Sequence, residues 1–126
     1  MALATLIRAL VGRPYRVPDE WLDTYPELAE AAWRVGGVAP RIGGWFLLRP
    51  SVAAITLGNV VFLASRGVPT AELLLHELAH VRQFAGSTAF PIQYVWESLR
   101  RGYTKNRYEV DARRFAAGRV HRSSSP

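Results

Sequence analysis

The chain has 126 residues, 49% apolar and 21% charged, with 10 Gly and 8 Pro. That length suits one globular domain rather than a large multidomain enzyme, and it allows roughly two-thirds of the unfolded chain's surface to be buried. There is no cysteine, which excludes disulfides, thiolate zinc sites, iron–sulfur clusters and cysteine nucleophiles, so any metal must rest on His, Asp and Glu.

Sixteen basic residues against ten acidic ones give a net charge of +6. The excess is uneven. Arg100, Arg101, Lys105, Arg107, Arg113, Arg114, Arg119 and Arg122 face only Glu97, Glu109 and Asp111 over residues 97–126. A basic face of this kind attracts nucleic acid or anionic lipid, but no nucleic-acid motif accompanies it. A solvated helix face is the simpler account.

Taken in chain order, residues 1–44 read as an N-terminal helical segment packed on the core. Leu3, Leu6, Ile7 and Leu10 recur at helical spacing and predict an amphipathic helix whose stripe packs on the domain, with attachment to a membrane surface as the alternative. Its opening lacks a basic n-region and carries Arg8 inside the apolar part, so it reads as retained rather than as a signal peptide. No stretch reaches the roughly 18 apolar residues of a membrane span, and a cytoplasmic chain without a transmembrane segment is expected. Gly12, Pro14 and Pro18 predict an extended connector. Asp19 to Val35 reads as helical, with Trp21, Leu22, Tyr25, Leu28, Ala29, Ala32 and Trp33 as its stripe and Pro26 limiting the run before it. The string GGVAPRIGG at 36–44 is loop chemistry.

Residues 45–118 read as the core. Trp45 to Leu48, Ala54 to Leu57 and Val60 to Ala64 predict three short strands of an antiparallel sheet, the last two joined by a Gly58-Asn59 hairpin turn. From Thr70 the pattern is helical. Thr70 is placed to cap a helix running to about Ala85, with Gly86 as its stop. Pro91 suits the first turn of a second helix that ends before Gly102. Asn106 opens a third that fades at Gly118, and residues 119–126 read as a polar tail. The fold class predicted is α+β, a short antiparallel sheet packed on helices in one domain.

Inside the Thr70 helix stands His76-Glu77-Leu78-Ala79-His80, an H-E-x-x-H string. Four helical steps of about 100° bring two imidazoles onto one face, one turn apart. Two nitrogens then meet one ion, for which zinc is the natural choice. Glu77 lies beside that ion's open side, where it can take a proton from water. The surrounding Leu73, Leu74, Leu75, Leu78, Val81 and Phe84 predict a buried helix, in which unpaired His and Glu would be costly. Core histidines hydrogen-bonded to neighbours are the structural alternative.

A catalytic zinc site commonly has three protein ligands. His121 stands apart in the basic tail, and no third His follows His80 at the metzincin spacing. The third ligand is therefore expected to be a carboxylate from another helix: Glu97, Glu109 or Asp111. Glu97, between Trp96 and Ser98, reads as a surface or supporting residue. Asn106-x-x-Glu109 loosely matches a capping box, which would turn Glu109 back on its own helix; the ligand role is preferred. As donors for a developing oxyanion the chain offers Tyr94, Tyr103, Tyr108 and His121, with Tyr103 favoured by its place in the loop between the last two helices. Trp21, Trp33, Trp45 and Trp96 read as core or rim anchors, and Arg82 and Gln83 as partners for acids on the final helix.

The string HELAHVRQF, the Gly102-Tyr103 pair and Asn106-Arg107-Tyr108-Glu109-Val110-Asp111-Ala112 resemble the gluzincin zinc peptidases, especially the small single-subdomain minigluzincins, and uncharacterised bacterial domains of the peptidase type. The resemblance covers about residues 45–118. It implies a zincin-like core of short sheet, active-site helix and glutamate helix, backed by an N-terminal helix. His76, His80 and Glu109 become zinc ligands and Glu77 the general base. The family usually carries an acid four residues after its glutamate; here that position holds Arg113, and Asp111 should point to another face. With only 46 residues after His80, the cleft is expected to be shallow or completed by a partner.

The function expected is zinc-dependent hydrolysis of a peptide or protein substrate, with the exposed edge of the 52–64 hairpin holding the extended chain by strand addition. The alternatives are a non-catalytic zinc-binding interaction module, or binding of nucleic acid or anionic membrane by the basic C-terminal face.

Overall fold

A computed structural model of the chain describes residues 2–37, 54–64 and 68–124. Among these residues the elements are α1 (Ala2–Val11), β1 (Arg13–Pro14), α2 (Asp19–Thr24), a 3-10 turn (Pro26–Glu30), β2 (Ala32–Val35), β3 (Ala54–Leu57), β4 (Val60–Leu63), α3 (Ala71–Gly86), α4 (Phe90–Arg101) and α5 (Arg107–Ser124). The α+β class is as expected. The predicted strand at 45–48 lies outside the described residues.

The sheet is mixed, not purely antiparallel, in the order β1-β2-β4-β3. The hairpin forms as expected: β3 pairs antiparallel with β4, and Gly58 takes the left-handed φ of +64° that its turn requires. The other neighbour of β4 is β2, running parallel to it, with Trp33 opposite Val61 and Val35 opposite Leu63. β2 comes from the stretch read as the end of a helix. That helix stops at Thr24, just before Pro26, and Ala32–Val35 is extended. Here strand pairing overrides the helical spacing: Trp33 turns into the core and its indole N–H donates to Leu28 O at 2.8 Å, while Arg34 points out and grips the end of α1 through Val11 O and Gly12 O. The predicted connector is extended too, and its Arg13–Pro14 pair adds a short antiparallel strand to the edge of β2.

Thr70 caps α3 as predicted, its hydroxyl accepting from Leu73 N. Leu74, Leu75 and Leu78 face the sheet and the 3-10 turn, where with Leu28, Val61 and Leu63 they form the fully buried centre of the core. The remaining face of α3 packs along α5. α5 does not fade at Gly118. It runs to Ser124, because its last turns are tied down: Arg119 pairs with Glu27 at 2.9 Å, and Ser123 Oγ meets the Tyr25 hydroxyl at 2.6 Å. Residues 119–124 thus belong to the packed helix rather than to a tail.

α1 forms, but its stripe does not pack on the domain. Leu3, Leu6, Ile7 and Leu10 are all exposed. The chain turns at Gly12, whose left-handed φ of +71° and closeness to Val35 O leave no room for a Cβ, and the core closes on residues from Val17 onward without α1.

Candidate metal centre

The two histidines of the H-E-x-x-H string stand one turn apart on α3, ring centroids 5.0 Å from each other. Glu109, in the first turn of α5, reaches between them. Its Oε1 lies 2.8 Å from His76 Nε2 and 2.8 Å from His80 Nε2. The three ligand atoms fall within 4.8 Å of one another, so His76, His80 and Glu109 form a group fit to hold a metal ion. His80 and Glu109 are buried and His76 is half-buried, and their donor set of two imidazole nitrogens and one carboxylate oxygen is common in transition-metal sites.

The start of α5 explains why Glu109 is free to do this. The Asn106 half of the loose capping box forms: its side-chain oxygen accepts from Tyr108 N at 2.9 Å, and its amide donates to Tyr94 O and Ser98 Oγ. Glu109 does not complete the box. Its side-chain bonds go to His76, His80 and Tyr94.

Tyr94, on α4, donates its hydroxyl to Glu109 Oε2 at 2.8 Å and sets its ring edge-on to His80 at 6.0 Å. One carboxylate oxygen is thereby committed to the phenol and the other to the imidazoles. The sequence offered Tyr94 only as one of several hydroxyls; its spacing four residues after the buried Phe90 is the signal that it faces inward. Gln83 is a second supporting residue. His80 Nδ1–H donates to its Oε1 at 2.7 Å, and the amide in turn donates to Tyr108 O. This fixes the His80 ring with Nε2 toward Glu109. Gln83 therefore serves a histidine and not an acid of the last helix, and Arg82 pairs instead with Glu30 on the 3-10 turn. The spacing from His80 to Gln83, three residues along one helix face, was the available signal.

Glu77, about 100° around α3 from His76, is buried beside the histidine face, with its carboxylate against β3. The Thr56 hydroxyl donates to Glu77 Oε2 at 3.0 Å and also lies 3.4 Å from the Glu77 carbonyl. Thr56 escaped the sequence reading; a polar residue at the inward position of an alternating strand was its only mark.

Charge in this cluster follows from burial and proximity. Burial alone would pull the His80 pKa down, but the hydrogen bond to Glu109 and the charges of Glu77 and Glu109 carry it up to about 9. Burial opposes ionisation of Glu109 as well, yet the bonds from His76, His80 and Tyr94 hold its carboxyl well below the usual carboxylate range. Glu77 is pushed up by burial, against the pull of the two histidines. Burial and the neighbouring Glu109 push the Tyr94 phenol up, so it stays protonated and a donor.

The other candidates lie elsewhere. Glu97 is buried rather than on the surface, with its Oε2 3.5 Å from Arg101 and from the backbone N–H of Arg107, where it steadies the entry to α5. Asp111 is exposed. Arg113, where the gluzincin resemblance would lead one to expect an acid, donates to Thr104 O. Tyr103 is half-buried in the loop before α5, close enough to Tyr94 to influence its ionisation, but outside the His–Glu group. Tyr108 directs its hydroxyl to Gln93. His121 lies twelve residues beyond Glu109 on α5, about 18 Å along the axis. Of the tryptophans, Trp33 is buried and Trp21 packs at the core's edge, Trp45 lies outside the described residues, and Trp96 is exposed.

No family model matches the chain, and neither a curated protein nor a solved structure matches it. Among the described residues, no helix is long and apolar enough to cross a membrane.

Proposed function

We propose that this domain is a zinc metallopeptidase of the gluzincin kind, cleaving peptide or protein substrates within the chain, with His76, His80 and Glu109 as ligands and Glu77 as general base. The observation that carries this reading is the convergence of two imidazoles from α3 and one carboxylate from α5 on a common point, with a second buried glutamate next to the first histidine in sequence. Three protein ligands of this type, leaving a position open, are the donor set of catalytic zinc. Zinc held there supplies a Lewis acid for the scissile carbonyl and lowers the pKa of water toward roughly 7.

The chain's own groups do the rest. Glu77, its pKa raised by burial, is suited to take a proton from the attacking water and hand it to the leaving amine. The elements of water are then divided between a new carboxylate and a free amine. Thr56 holds one oxygen of Glu77 and so fixes its orientation. Tyr94 and Gln83 hold Glu109 and His80 in place. β3 is the last strand of the sheet among the described residues, and the edge it presents there is the one proposed to receive an extended substrate as an added strand. Tyr103 remains the proposed oxyanion donor, from the loop next to Tyr94. A cytoplasmic setting, and a partner completing the shallow cleft, belong to the same proposal.

A second reading, a zinc-binding interaction module without turnover, is favoured by one observation. Glu77 is only 6% exposed and already bonded to Thr56, an arrangement that would also keep a spent base locked away.

Elemental analysis for zinc per chain, beside digestion of casein and of a peptide library, tests both readings. Zinc with hydrolysis that Glu77→Gln abolishes supports the peptidase; zinc without hydrolysis supports the module; absence of zinc in metal-replete protein removes both.

A further inference from the structure

α4 buries Phe90 together with polar groups on its inner side and is largely apolar on its outer side. It turns the Tyr94 hydroxyl and the Glu97 carboxylate inward, while Ile92, Val95, Trp96 and Leu99, at i, i+3, i+4 and i+7, are 76%, 40%, 62% and 79% exposed. These four side chains form one stripe along a helix about 18 Å long. A contiguous apolar surface on a small domain marks a docking face rather than chance exposure.

The charge around the stripe indicates what docks. Arg100 and Arg101 close the helix, and Lys105 and Arg107 follow it, all exposed. The only acid of α4, Glu97, is buried against Arg101. Arg100 and Lys105 enter no ion pair among the described residues. A tryptophan-bearing apolar stripe framed by cations is the pattern of helices that lie in the headgroup layer of an anionic bilayer: the indole sits at the boundary and the arginines reach up to phosphate. A second copy of this chain would instead bring the same cations together. α1 independently exposes a second apolar stripe, Leu3, Leu6, Ile7 and Leu10, with no acid in its length.

We propose that the outer face of α4 is a docking surface for an anionic lipid bilayer, entered by Ile92, Trp96 and Leu99 and anchored by Arg100 and Lys105. This surface does not depend on the hydrolase reading.

The test mixes the full chain with vesicles of phosphatidylcholine alone and of phosphatidylcholine with phosphatidylglycerol, and reads binding by cosedimentation at low and raised salt. Binding to the anionic vesicles alone is expected, weakened by salt. The double variant Trp96→Ser/Leu99→Ser should bind about tenfold more weakly, and Arg100→Gln/Lys105→Gln several-fold more weakly, with circular dichroism unchanged because all four side chains are exposed. Failure to bind either vesicle would overturn the proposal. So would equal binding by Trp96→Ser/Leu99→Ser and the parent, or a concentration-dependent dimer that this variant dissolves, which would make the face a contact between copies.

Discussion

Tyr94 and Glu109 meet across two helices through one hydrogen bond of 2.8 Å, from the phenol to Oε2, and this leaves Oε1 of the same carboxylate facing both histidines. Tyr94→Phe removes the bond and keeps the ring's packing on His80 and Phe90. Metal affinity, read by competition with a chromogenic chelator, should fall about tenfold. Unchanged affinity would mean that the histidines alone orient Glu109.

Glu109 and Glu97 are both buried acids in the helical half of the molecule, but only Glu109 touches the histidines. On the zinc reading, added zinc should stabilise the parent protein by about 2.7 kcal/mol at a hundred times Kd, and Glu109→Ala should abolish both that shift and tight metal binding. Glu97→Ala should keep the metal and lower stability by about 1–2 kcal/mol, through the loss of its bonds to Arg101 and the α5 entry. A chelator titration in which the two variants exchange places would reassign the third ligand.

On the peptidase reading, Glu77→Gln keeps the Thr56 bond and the fold while losing the proton acceptor. Hydrolysis should drop by about 10²–10⁴ with metal content intact. Thr56→Val should lower turnover less, since it frees the carboxylate without removing it. Activity surviving in the Gln variant would take Glu77 out of the chemistry.

Acid should loosen the clamp on α5. The hydrogen bond from Arg119 holds the Glu27 carboxyl below its ordinary value of 4.5, so the folded form favours the ionised acid. That stabilisation is present above pH 4.5 and is lost as pH falls through the lowered folded value. Thermal melts of the parent and Glu27→Gln should therefore differ near neutrality, by about 1 kcal/mol for this half-buried pair, and converge in acid. A gap independent of pH would mean that the ion pair contributes nothing.

The elements legible in the sequence were those with local causes: Thr70 and Asn106 as caps, Gly58-Asn59 as a turn, Pro91 as a helix start, and the two histidines one turn apart. Glu109 was preferred among three acids through the resemblance of the 106–112 string, and it does join the histidines; spacing alone would not select it, because that depends on how α5 crosses α3. β2 was misread because Trp33 satisfies both a helical stripe and an inward strand position; only its pairing with β4 decides between them. The role of Thr56 was invisible for the same reason, being set by a strand–helix contact 21 residues apart in the chain. The stripe of α1 was read correctly as apolar and wrongly as covered, since a periodic pattern reports the existence of a face and not its neighbour.

Thr56 touches Glu77 through both the side chain and the backbone carbonyl, and it belongs to the last described strand of the sheet. A hairpin that shifts therefore takes the glutamate with it. On the peptidase reading, a peptide laid along that border would press on the strand that holds the proposed base, so that substrate docking and proton transfer would be linked through Thr56.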